Sequence, residues 1–188
     1  MWLPKNSSGS LRNKSPFRSP DIESKREGIK VLELSEKIKE HFRNPLNVGE
    51  IENPEGMGTV DNPVCGDTTK LSLRISNGVI EDARFLSFGC AVTIASASVF
   101  TEKIKGKEVS WVFSGNDEEV VQRLINLIES ELGEIPAIKL HCPPATVQVF
   151  LEAMAQYFGR EERAELGPRI KGLIPLVSVY YKRGEEET

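Results

Sequence analysis

Leu71, Leu73 and Ile75 alternate with Ser72, Arg74 and Ser76, the period-two pattern of a strand with one buried and one wetted face. Asn77-Gly78 follows at once, a dipeptide suited to the positive φ angles of a two-residue hairpin turn. Residues 79–88 read as the return strand, and a further strand is predicted near residues 57–62. Helical spacing governs most of the rest. Ile29, Leu32, Leu34, Ile38 and Phe42 predict a helix over 29–42, ended by Asn44-Pro45 because the residue before proline avoids helical dihedrals. Residues 45–58 carry loop chemistry in Asn47, Gly49, Asn53-Pro54, Gly56 and Gly58. A helix rich in small residues is predicted over 92–105, closed by Gly106. Another spans 117–132, opened by Asn116 and an acidic first turn and stopped by Gly133. Pro143-Pro144 fits the first turn of a last long helix, where missing amide protons cost little. That helix is expected to end at Gly159, with Val147, Phe150, Leu151, Met154 and Phe158 as a core-packing stripe. The apolar run over 170–181 predicts an extra strand or a docking segment.

The chain divides into three parts. Residues 1–30 form a tail predicted to be disordered: its first 20 residues hold basic residues and serines but no acid. Residues 31–160 form one domain, and 161–188 a charged C-terminal extension. Hydrophobic residues make up 39% and charged residues 28% of the 188, enough for a core that is stable without disulfides. A net charge of -4 gives no reason to expect nucleic acid as a partner. No apolar run approaches the roughly 20 residues of a membrane helix, and no secretory h-region follows Met1. Three cysteines cannot close a disulfide framework. Free thiols fit a reducing compartment, so the expected location is cytoplasmic. The alternative is the mitochondrial matrix, with the basic, serine-rich start as a transit peptide.

The cysteines carry the chemistry. They stand in Val64-Cys65-Gly66-Asp67, Phe88-Gly89-Cys90-Ala91 and Lys139-Leu140-His141-Cys142. With Asp67 and His141 they form a set of soft-metal ligands. The hairpin brings Cys65, before its first strand, close to Cys90, after its second. Cys90 and Cys142 each precede a predicted helix, whose N-terminus stabilises a thiolate. Lys139 adds positive charge near Cys142. Thiolates select zinc, copper(I) or iron–sulfur clusters. A cluster ordinarily takes four ligands, so the fourth must be Asp67, His141, a partner's residue or an external thiol. Three sulfurs with one oxygen or nitrogen also suit tetrahedral zinc. The alternatives are thiols that only fill a core and a cysteine nucleophile of another kind. A hydrolase pairing Cys142 with the adjacent His141 is disfavoured by geometry, and His41 reads as a surface or partly buried histidine.

Taken in order, several motifs resemble the IscU/NifU-type scaffolds of iron–sulfur cluster assembly (the NifU N-terminal-domain family). The resemblance runs from about Ser35 to Phe158. It comprises the run from His41 to Gly49, similar to H-x-x-N-P-x-N-x-G, then Cys65-Gly66-Asp67, residues 80–85, Phe88-Gly89-Cys90, residues 94–98, Lys105-Gly106-Lys107 and Lys139-Leu140-His141-Cys142. It implies an α/β (α+β) fold, SufE/NifU-like, with a small antiparallel three-stranded sheet packed against helices. It implies that Cys65, Asp67, Cys90, His141 and Cys142 hold a transient [2Fe-2S] cluster, iron or zinc. Cys142 matches the usual persulfide acceptor, fed by a cysteine desulfurase, and Lys139 a lysine beside the site. The function implied is a scaffold, not an enzyme, that builds the cluster and transfers it to apo iron–sulfur proteins. A ferredoxin, a frataxin-like protein and an Hsp70-type chaperone are the further partners. The alternative within the resemblance is a zinc-bound sulfur acceptor of the SufU kind. Two segments depart from the family pattern: residues 135–139 read Ile-Pro-Ala-Ile-Lys rather than Leu-Pro-Pro-Val-Lys, and Pro143-Pro144 follows Cys142.

Overall fold

The computed structural model describes residues 33–160 and 166–181. The predicted N-terminal tail and the acidic C-terminus fall outside the described residues. Three strands form one antiparallel sheet in the order β1 (Gly56–Asp61), β2 (Thr68–Ser76) and β3 (Val79–Phe88). The hairpin follows the alternation: Leu71, Leu73 and Ile75 are buried. Asn77 and Gly78 turn the chain with φ of 51° and 78°, the double positive φ of the tight hairpin turn. Among the described residues six helices pack with the sheet: α1 (Glu36–Arg43), α2 (Ala91–Ile104), the single turn α3 (Val109–Val112), α4 (Asp117–Leu132), α5 (Cys142–Arg160) and α6 (Leu166–Tyr180). Helix α5 lies across β1 and β2 and α2 across β3, with α4 behind both. On the other face of the sheet the segment before β1 is tied down by the Ile51 amide, which donates to Ser72 Oγ at 3.0 Å.

Packing and caps set the boundaries. Helix α1 begins only after Ser35, whose Oγ accepts from the Ile38 amide at 3.1 Å and donates to the Leu132 carbonyl at 2.6 Å. Leu34 therefore lies outside the helix predicted over 29–42, because the local cap overrides the spacing. Asn116 opens α4 with a reciprocal capping box to Glu119. Gly159 does not end α5, which continues to Arg160. Val147, Phe150, Leu151, Met154 and Phe158 are all buried, as the stripe predicted. His41 is more buried than expected, its Nδ1 2.9 Å from Ser98 Oγ.

The apolar run near the C-terminus is a helix, not a strand. Ile170, Leu173 and Val177 of α6 are buried and dock on α5 and α4. Pro175 sits on the exposed face, so the carbonyl its ring displaces can be satisfied by water. Arg169 fastens the start of α6 by donating to Asp117 Oδ1 at 2.8 Å and to the Phe113 carbonyl at 2.9 Å. Among the described residues no helix is long and apolar enough to cross a membrane.

Candidate metal and sulfur site

Cys65, Asp67, Cys90 and Cys142 meet where three connections converge. The first is loop 62–67, between β1 and β2. It closes on itself through the Asn62 amide, which donates to the Asp67 carbonyl, and the Gly66 amide, which donates to the Asn62 carbonyl, both at 2.8 Å. Gly66 adopts a φ of 73°, which a side chain would strain. Cys65 is exposed at the tip. The second connection joins β3 to α2. Thr68 pairs with Phe88 across the hairpin, so the ends of the two strands lie side by side, as the sequence predicted. Gly89 then passes so close to Asp67 that a Cβ would sit 2.8 Å from the carboxyl carbon. Only glycine lets the two approach.

Asp67 is the hub. Its Oδ2 accepts from the Cys90 amide at 3.0 Å and from Thr93 Oγ1 at 2.6 Å. Burial alone would raise the Asp67 pKa. The Thr93 hydroxyl, the Cys90 amide and the neighbouring thiols outweigh it and hold the carboxyl below its ordinary 3.8. The stability this carboxylate contributes is present above 3.8 and is lost as pH falls through its lowered folded value. The protection of the Cys90 amide relative to intrinsic exchange at each pH should therefore fall on acidification, and Asp67→Asn should remove that transition. A Cys90 protection factor that ignores acid would refute the arrangement.

Cys90 immediately precedes α2, and Cys142 is the first residue of α5, reached through a 3₁₀ turn at Ala137–Lys139. Their sulfurs lie 3.8 Å apart. Donation from the Cys142 thiol pulls the Cys90 pKa down to about 5 against the cost of its burial, helped by Thr93 and the charge of Lys139. Cys142 shifts the other way, pushed up by giving its proton to Cys90 and by burial. The two thiols titrate as a pair that favours the thiolate on Cys90. Of the two helix starts expected to stabilise a thiolate, the one at Cys90 has its thiol pKa lowered and the one at Cys142 does not. His141 is buried and neutral at ordinary pH, its pKa lowered first by burial and then by Lys139. Its Nε2 is buried with no hydrogen-bond partner.

The donor set suits a thiophilic metal or a cluster: three thiols, a carboxylate and an orphaned imidazole nitrogen at one end of the sheet. It is not a finished cage. Among the described residues, no three His, Cys, Asp or Glu side chains close on one point as a metal site. Binding must draw the donors together from separate loops. Sequence reasoning missed Thr93, three residues after Cys90 and in contact with both Cys90 and Asp67.

Residues 33–164 match the NifU-like N terminal domain. The chain belongs to this family. NifU-like relatives include the iron-sulfur cluster assembly scaffold protein IscU 1 of Archaeoglobus fulgidus, 37% identical over 131 residues, which cover 70% of this chain and 80% of the relative. The scaffold protein IscU of Escherichia coli is 36% identical over 135 residues, covering 70% of this chain and 98% of its own length. In three dimensions the chain is similar to the N-terminal NifU-like protein of Brucella abortus, with a TM-score of 0.56 at 18% identity, over 66% of this chain and 94% of that one. That likeness bears out the α+β fold with its three-stranded sheet. The NifU-like segment ends at the start of α6, which is an addition to it.

Proposed function

We propose that this protein is a scaffold for iron–sulfur cluster assembly. It accepts sulfur from a cysteine desulfurase on Cys142, gathers iron, builds a [2Fe-2S] cluster on Cys65, Cys90 and Cys142 with Asp67 or His141, and passes it to apo-proteins. The observation that carries this reading is the buried Cys142 thiol 3.8 Å from Cys90, with Asp67 bridging to the loop of Cys65. The names of the relatives support it.

Sulfur acceptance requires the buried Cys142 thiol to reach the desulfurase and lose its proton, which breaks its contact with Cys90. The Cys142 sulfur then attacks the outer sulfur of the desulfurase's cysteine persulfide. A new S–S bond forms on Cys142, the old one breaks, and the desulfurase cysteine leaves as a thiolate. Reduction of that sulfur to sulfide consumes two electrons, supplied by a reduced ferredoxin or a thiol. Cys65, exposed on a short loop, can swing onto the cargo. Fewer than four thiolates leave the cargo exchangeable, as transfer requires. Iron delivery by a frataxin-like protein and release by an Hsp70-type chaperone complete the partner set. Ile138, exposed on the 3₁₀ turn, is the apolar contact available to a chaperone. Cytoplasmic placement follows from thiols that must stay reduced.

Anaerobic reconstitution with ferrous iron, cysteine and a desulfurase tests the reading. The expected result is a set of visible charge-transfer bands that fade as an added apo-ferredoxin acquires them. Tight stoichiometric zinc, sulfur loading and no cluster would instead identify a zinc-bound sulfur acceptor.

A further inference from the structure

The first turn of α5 is short of hydrogen-bond donors. Its first three residues are Cys142, Pro143 and Pro144, and the amide of Ala145 is spent on the His141 carbonyl at 3.2 Å. A helix start ordinarily offers several free N–H groups to a sulfur anion. Here two are absent because proline has none. Cys142 is fully buried, so water does not replace them.

A donor of the right kind lies opposite. Asn62 is 3% exposed, although Asp61, Pro63, Val64, Cys65 and Gly66 around it are all exposed. Its Oδ1 accepts from the Val64 amide at 2.9 Å, which fixes which way the side-chain amide faces. Its Nδ2 is buried without a partner. A buried N–H left unpaired is costly, so a position that keeps one invites an acceptor.

The packing of β1 on α5 gives the address. The inward face of β1 carries Gly56, Gly58 and Val60, and Asn62 continues it. Gly56 packs on Ala153 and Tyr157; Gly58 packs on Val149, Glu152 and Ala153. Each two-residue step along the strand moves the contact about four residues back along the helix, since both advance roughly 6–7 Å. Two more steps bring Asn62 opposite residues 142–145.

We propose that the Asn62 side-chain amide replaces the backbone donors lost to Pro143 and Pro144, giving an N–H···S bond to sulfur carried as a persulfide on Cys142. This rests on the reading of Cys142 as sulfur acceptor. A charge-assisted bond of this kind stabilises the terminal persulfide anion and orients it toward incoming iron. Asn62 is a positioning residue in this role.

The test uses the full-length protein, labelled with ¹⁵N at asparagine. Sulfur is set on Cys142 by a desulfurase and, separately, by inorganic polysulfide. In the latter the Cys142 sulfur takes one sulfur atom and a polysulfide one atom shorter leaves. Intact mass verifies the load and peptide mapping places it on Cys142. One Asn62 Nδ2 proton should move downfield on loading and stay put in Cys142→Ser treated alike. In Asn62→Asp, which keeps the acceptor for Val64 but removes the donor, the persulfide should be lost to dithiothreitol about tenfold faster. An Asn62 resonance that ignores a verified load overturns the proposal. Because that measurement is made on the natural sequence, it stands even if the variant fails to fold. Loading by polysulfide but not by a desulfurase overturns the scaffold reading alone, and the Asn62 resonance still decides this one. A Cys142 that takes sulfur from neither donor overturns both.

Discussion

Cys142→Ser is expected to cut sulfur acceptance from a cysteine desulfurase on the order of 10³-fold or more, the scale of losing a nucleophile, with the fold intact. Serine is smaller than cysteine and fits the buried Cys142 position. What is lost is a sulfur able to form and hold an S–S bond. Intact-mass measurement after incubation with a desulfurase and cysteine reads the added sulfur directly. Undiminished loading in the variant would move the entry point to Cys90 or Cys65. Thermal unfolding within a degree or two of the natural protein would confirm that chemistry alone was removed.

Gly58→Ala should have the largest effect on stability, although it adds one methyl group far from the sulfurs. A Cβ on Gly58 would meet the Val149 carbonyl oxygen, and would lie 2.7 Å from the Ala153 nitrogen and 2.9 Å from Glu152 Cβ. Two of these obstacles are backbone of α5 and cannot rotate away. The strand and helix must part, and overpacking of this severity costs about 3 kcal/mol or more. For a domain of this size that lowers the melting temperature by about 10 °C. Gly56→Ala, whose Cβ would lie 2.5 Å from the Ala153 oxygen, should behave alike. Gly78→Ala is the control: nothing lies within 4 Å, so only its positive φ is strained. Melting curves that rank Gly58→Ala with Gly78→Ala would show that the seam between β1 and α5 is looser than described.

Those glycines also mark where sequence reading stops. Gly56 read as a loop residue and Gly58 as standing between loop and strand, since glycine weakens a strand in isolation. Only the helix lying over them explains their presence in β1. The hairpin of β2 and β3 was legible because alternation and Asn77-Gly78 are local signals, and α4 because its cap and stop are local too. The extent of α6 was not, because Pro175 speaks against a helix and its tolerance depends on facing water. Among the site residues, the cysteines, Asp67, Lys139 and His141 announced themselves by chemistry. Thr93 and Asn62 did not. A threonine in a small-residue helix and an asparagine before proline are ordinary choices, and only tertiary contact gives them neighbours of consequence.

The bonds from Asp67 to the Cys90 amide and Thr93 give one carboxylate two competing employers. The opening turn of α2 uses it as a cap supplied from another loop, an interaction worth about 1 kcal/mol in ordinary helices. A metal ion drawn onto the same oxygen competes with the helix for it, and the helix regains it when the ion leaves. Loading and helix order are then set in mild opposition, so cargo held through Asp67 would be held against a restoring force built into the backbone. Such a site favours transit over storage.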